Sequence, residues 1–308
     1  MQACQSLRGQ EVSSRSAAGR RRWARRLAAA SGFFAFRRKR PNVVSFSKAI
    51  RFNKQRDADM SQGISTIRTP PNRPTSDLSR ETLLRMANAG VKAVASIADL
   101  HARGSNLVIE VLRGSRDFIQ WEHYPPDDVR DPKSHAQYYF HAHPPDERDE
   151  PDYGHFHLFV GPQGVPASSR HAKVRNLAAS ASDKDAPSHL IAISMTPAGM
   201  PERLFTTNGW VTGETWYRAA DVIGMLDRFV IDLDHPSRSL NDWLTAMVVL
   251  FRPQIEELLI ERDRVILQWQ AEHADTDVFE DRRLEIVSSI RISLHNQIEW
   301  LDRQLDAS

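Results

Sequence analysis

Two His-x-His pairs, His141-Ala142-His143 and His155-Phe156-His157, stand eleven residues apart in a chain of 308 residues. Imidazole nitrogen is a ligand for zinc, iron, copper and nickel. Three converging histidines with one position left open suit the activation of water, whereas four closed ligands suit a structural ion. In an extended strand successive side chains alternate between faces, so His141 and His143 share one side, as do His155 and His157. A hairpin placing His143 opposite His155 also places His141 opposite His157. All four imidazoles then occupy one face, with opposed Cβ atoms about 4.5–5.5 Å apart. The other face carries Phe140, Ala142, Phe156 and Leu158, the apolar side that a core requires. The expectation is a divalent-metal site of His141, His143, His155 and His157, with zinc or iron as the leading ions.

Between the two pairs lies PPDERDEPDYG, whose Glu147, Asp149, Glu150 and Asp152 could supply an oxygen ligand or a general base. The catalytic candidates are Glu147, Glu150 and His135. His123 flanks the pairs, and His189 opens an apolar segment, which makes it an outer candidate. The leading reading is a metal-dependent enzyme, hydrolytic or oxidative, acting on an unspecified small molecule. A non-catalytic metal or small-ligand binding protein is one alternative. A helix-mediated interaction protein whose histidines serve structure is another.

These pairs need strands to hold them and helices to cover them. The predicted fold class is α+β: an antiparallel β-sheet with a histidine-bearing hairpin, covered by an N-terminal helix and long C-terminal helices. Asp77 or Ser79 can cap a helix running to about Ala102, with Leu83, Leu84, Ala87, Val91, Val94 and Ala95 at near-helical spacing and Gly104 stopping it. NLVIEVLRG (106–114) reads as a short helix capped by Ser105. Alternation predicts a strand over Phe118–His123, closed by Pro125 and Pro126. Further strands are expected at Gln137–His143, His155–Val160, His189–Met195 and Arg203–Thr207. Asn208-Gly209 signals a turn, and Trp210–Thr212 reads as one more short strand. The cluster Thr206, Thr207, Asn208, Trp210, Thr212 fits either a ligand rim or an ordinary tight hairpin. The stretch 163–187 reads as a surface loop.

From Ala219 onward the pattern turns helical. Leu240, Trp243, Leu244, Met247, Val248, Phe251, Ile255, Leu258 and Leu259 recur every three or four residues, with a kink expected at Pro253. A last helix carries Leu284, Val287, Leu294, Ile298, Leu301 and Leu305. This stripe packs inside the domain on the simplest view, and a homodimer seam is the alternative.

Charge divides the chain. Residues 1–59 hold fifteen Lys/Arg against Glu11, Asp57 and Asp59, while the remainder carries an excess of acids. The expected organisation is a basic disordered arm over 1–59, an extended proline-bearing leader over 60–76, and a single α+β domain over 77–308. The arm resembles a degenerate signal or transit peptide, but its apolar stretch is flanked by bases on both sides. The break in composition at Met60 favours Met60 as an alternative start. An acidic body argues against nucleic acid as a specific partner, and no apolar run is long enough for a membrane span. Cys4 is the only cysteine, so no internal disulfide and no thiolate zinc site can form, and a cytoplasmic location is expected. The sequence contains no Gly-rich phosphate loop, dinucleotide fingerprint or nucleophile elbow.

His141-x-His143, three residues, Glu147, six residues, Gly154 is similar to the first metal motif of cupins. That resemblance implies a small β-barrel with His141, His143 and Glu147 as ligands, although His135 stands where the motif expects glycine and no second motif follows. HFHLF locally resembles the zinc strand of carbonic anhydrases. The series WEHYPPDDVRDPKSHAQYYFHAHPP, GHFHLF, HLIAISM and LFTTNGWVTGETW is similar to an uncharacterised bacterial family, a domain of unknown function, over roughly residues 75–305. This implies one domain and brings no activity with it.

Overall fold

Six strands follow one another across a single sheet in the order β1-β2-β3-β4-β5-β6, each antiparallel to the next. They are β1 (Tyr124–Arg130), β2 (Ala136–His141), β3 (Gly154–Val160), β4 (Ser188–Met195), β5 (Pro201–Thr207) and β6 (Ile286–Arg291). The computed structural model describes residues 78–144, 153–169 and 186–307, all within one unit spanning Asp59–Ser308. The expectations for the arm 1–59, for the Met60 start, for the leader 60–76, and for Glu147 and Glu150 lie outside the described residues. Among the described residues the strands form an open meander rather than the barrel that the cupin resemblance implies.

Among the described residues seven α-helices accompany the sheet: α1 (Arg80–Ala102), α2 (Leu107–Val111), α3 (Gly209–Thr212), α4 (Ala219–Met225), α5 (Arg238–Leu250), α6 (Arg252–Glu272) and α7 (Leu294–Ala307). The α+β class is therefore as expected. Of the two proposed caps for α1, Ser79 serves, its hydroxyl accepting the Thr82 N–H. Asn106 rather than Ser105 caps α2, accepting the Ile109 N–H.

One face of the sheet makes the core. Tyr138, Phe140, Phe156, Leu158, Ile193 and Leu204 join Leu83, Met86 and Ala93 of α1, Leu240, Trp243 and Leu244 of α5, and Leu294 and Leu301 of α7 in one apolar cluster. The Phe156 and Trp243 rings lie 5.9 Å apart. The apolar stripe of the last helix is thus spent inside the chain. Within this core Tyr138 donates to Asn241 Oδ1 at 2.6 Å, and the Asn241 amide donates to the Leu233 and His235 carbonyls. Tyr138→Phe removes the donor and leaves a buried acceptor without its partner. A loss of about 1–3 kcal/mol is expected in chemical denaturation, and a change below about 0.5 kcal/mol would show that the bond contributes nothing net.

Four sequence expectations are corrected. The strand placed at Phe118–His123 instead runs from Tyr124 to Arg130 and contains both prolines. β1 is an edge strand, and its pairing is irregular between Tyr124 and Val129, which is where proline's missing N–H is tolerated. Trp210–Thr212 belongs to the helical turn α3, capped by Asn208 and ended by Gly213 in the left-handed region. The chain breaks between α5 and α6 at Phe251, just ahead of Pro253, so two helices replace one kinked helix. Leu284 and Val287 do not share a helix with Leu294, because Ile286–Arg291 forms β6 beside β5. In Ile-Val-Ser-Ser-Ile the apolar residues 286, 287 and 290 keep helical spacing rather than strand alternation, and pairing with β5 overrides that local pattern.

Candidate functional site

Hairpin register is a further correction. β2 pairs β3 with His141 opposite His155 and Tyr139 opposite His157, two residues away from the expected alignment. A shift of two leaves every side chain on its original face, so the imidazoles still converge. The observed register places Phe140 directly opposite Phe156, with ring centroids 5.0 Å apart, a cross-strand aromatic pair on the core side. His143 then falls beyond the last paired residue of β2.

Three imidazoles meet at the end of the hairpin. The His141 and His155 Nε2 atoms are 2.8 Å apart, and His143 Nε2 is 3.3 Å from His141 Nε2. One ligand atom from each of the three lies within 4.8 Å of the others. Nitrogens held about 2.0–2.1 Å from one ion, at angles between square and tetrahedral, stand about 2.9–3.4 Å apart. Two of the three separations lie close to that range, and the donor set could hold a divalent ion. All three residues are buried, and burial among imidazole neighbours lowers the His141 pKa to about 2, which keeps that ring neutral, the form that binds metal.

His157, expected as a fourth ligand, takes another partner. Its Nδ1 lies 3.1 Å from His189 Nε2, and its Nε2 is buried with no hydrogen-bond partner among the described residues. Complete burial holds His157 well below the ordinary histidine range, and burial, with the Arg262 charge second, lowers His189 to about 3. His135 sits at the opposite end of β2, beside the Ala136–Val160 pair, with φ +61° and its carbonyl accepting the Gly161 N–H. Six residue rises of extended chain, about 20 Å, separate it from His141, so it is not brought to the cluster.

Other side chains reach the cluster, among them His123, which the sequence marked only as flanking it, and Trp121, for which core packing was the expected role. Trp121 has φ +72°, a conformation that costs a non-glycine residue about 1–3 kcal/mol, and its N–H donates to the Ala142 carbonyl. Its indole stacks on His143 with centroids 4.1 Å apart and meets His141 edge-on at 6.5 Å. His123 stacks on Tyr139 at 3.6 Å, lies 5.8 Å from His141, and has Nδ1 3.0 Å from Asp128 Oδ1. Ser194 is paired with His155 across β3 and β4, and Ser194 Oγ donates to Glu202 Oε1 at 3.4 Å. Behind His189, buried Glu214 accepts the His189 N–H and the Thr212 hydroxyl. Desolvation pushes its pKa up to about 7, although nearby Arg262 opposes the shift. The pairing of His123 with Asp128 had a signal in their close spacing, but the expected strand ended before Asp128. Glu214 had none, being 25 residues from His189 with no periodic relation to it.

A family model described as "Domain of unknown function (DUF6969)" matches residues 87–292. No curated protein and no solved structure matches the chain.

Proposed function

The chain belongs to the DUF6969 family, a domain of unknown function, and we propose from its own side chains that it is a divalent-metal-dependent enzyme, hydrolytic or oxidative, working at His141, His143 and His155. The observation that carries this reading is the convergence of three ring nitrogens within 4.8 Å of one another, with two of the three separations, 2.8 and 3.3 Å, close to the edges of a coordination shell. Three ligands leave a position open, and zinc or iron is the leading ion. A bound divalent ion would supply Lewis acidity and lower the pKa of a water molecule beside it. The protein's share is to keep the His141 ring neutral, to orient the rings through the strand pair, and to place His123, braced by Asp128, at the edge of His141 as a proton-handling side chain. His157 and His189 form a second, buried pair that backs the cluster. A non-catalytic metal or small-ligand binding protein is the alternative, separated from the first reading by whether a substrate turns over. Cys4 as the only cysteine is consistent with a cytoplasmic location.

Elemental analysis of untagged protein tests the site. Wild type is expected to carry one equivalent of divalent ion. His141→Ala is expected to bind at least about 100-fold more weakly, since loss of a direct ligand should exceed the 10–100-fold typical of an outer partner. His157→Gln is expected to keep its stoichiometry. Equal metal content in wild type and in His141→Ala, with both folded by circular dichroism, would overturn the assignment.

A further inference from the structure

We propose that Trp121 is the specificity-determining wall of the three-histidine site and selects a small substrate that carries an aromatic or planar apolar group next to an oxygen donor. The inference rests on the metal-site reading above. Trp121 is 53% exposed and Phe118 is 40% exposed, yet the indole is in ring contact with two of the three converging histidines. Nothing in the core requires the indole: its backbone is held in the left-handed region by the Ala142 carbonyl, on the strand end that bears His141 and His143. Strained backbone at a rim, holding a large apolar ring in solvent beside a polar cluster, marks a surface that is kept for a ligand.

Three residues earlier in the chain a second exposed ring, Phe118, joins other aromatic side chains. Phe118 stacks on Tyr153, with centroids 6.2 Å apart and an interplanar angle of 5°, and contacts Tyr124 at 5.4 Å. The segment is fastened by Tyr124, whose hydroxyl accepts the Ile119 N–H and donates to the Asp117 carbonyl. A ligand whose donor atom reaches the imidazoles therefore lays its adjoining atoms along the indole. Aromatic faces favour planar apolar groups there, through offset or edge contact.

Two hydroxamic acids separate the rim from the ion. Full-length protein loaded with cobalt(II) would be titrated with acetohydroxamic and benzohydroxamic acid, following the visible absorption of the metal. Benzohydroxamic acid is expected to bind about 10-fold more tightly, the scale of one aromatic contact with its buried area. In Trp121→Ala that preference is expected to fall below about threefold while the acetohydroxamic acid affinity holds. Trp121→Phe, which is also the variant to use if alanine fails to fold, is expected to restore most of it. Equal binding of the two acids by wild type, or an unchanged preference in Trp121→Ala, would overturn the wall and leave the metal site standing. Parallel loss of both acids in Trp121→Ala would reduce Trp121 to a brace for His143 and also overturn the wall. Failure of wild type to take up cobalt would overturn the metal-site reading and this inference with it.

Discussion

Metal-free protein is expected to lose stability steeply as the pH falls from about 6.5. His141, His157 and His189 are held neutral in the fold, chiefly by burial, with pKa values of about 2 for His141 and about 3 for His189 and a strong downward shift for His157. In the unfolded chain each titrates near 6.5. Between those limits the unfolded state binds protons that the folded state refuses, so unfolding becomes easier as the pH falls, by about 1.4 kcal/mol per pH unit for each histidine. Glu214 works the other way. Its pKa is raised to about 7, so between about 4.5 and 7 the folded state holds a proton that the unfolded carboxylate has released. The net slope there is that of two histidines, about 2.7 kcal/mol per pH unit. Two pH units then remove about 5 kcal/mol, which is comparable with the whole stability of a typical domain. Below 4.5 Glu214 no longer offsets, and the lowered pKa values of Asp131 and Asp281 add to the loss. Urea melts across pH 7 to 4 would read the slope directly, and His189→Gln is expected to reduce it by the share of one histidine. A stability that stays flat down to pH 4.5 would mean that these rings take up protons without unfolding.

The convergence of the histidines was legible because it depends only on parity. His141 and His155 face the same way in any register shifted by an even number of residues, so an error of two in the pairing cost nothing at the site. The choice between registers rested on the Phe140–Phe156 contact and on Gly154, which are tertiary facts. His157 shows the limit of parity: sharing a face with His155 does not bring its nitrogen to the same point, because a neighbour on β4, His189, captures one side of the ring. That neighbour comes from a strand more than thirty residues away; its place at the start of an apolar segment marked it as an outer candidate, but nothing local paired it with His157. Trp121 and His123 were assigned to a strand by their alternation. The chain there instead turns at a positive φ and lays both rings on the cluster, so a conformation rare for tryptophan erased the periodic signal. β6 was hidden for a different reason: Ile286, Val287 and Ile290 carry helical spacing, and only pairing along β5 makes this segment a strand.

Gly154→Ala is expected to cost about 3 kcal/mol or more. Gly154 opens β3 immediately before His155, pairs with Met195, and has φ +151°, a region that side chains of L residues rarely enter. A Cβ there would stand 2.7 Å from the His141 carbonyl oxygen and would run into the Phe140 ring. Neither obstacle yields cheaply: the carbonyl belongs to the backbone that positions His141, and Phe140 is fully buried against Phe156. Strain and overpacking each contribute about 1–3 kcal/mol, and for a domain of this size the sum lowers the melting temperature by about 10 °C. Relief by prising the hairpin open would move His155 relative to His141, so metal stoichiometry is expected to fall together with stability. Adding Phe140→Leu removes the ring but not the carbonyl, and is expected to recover only part of the stability loss. If Gly154→Ala melts within about 1 °C of wild type, the close approach of the two strands is not what fixes the histidine spacing, and the convergence of the three nitrogens must be set by the Trp121 and β4 side of the cluster instead.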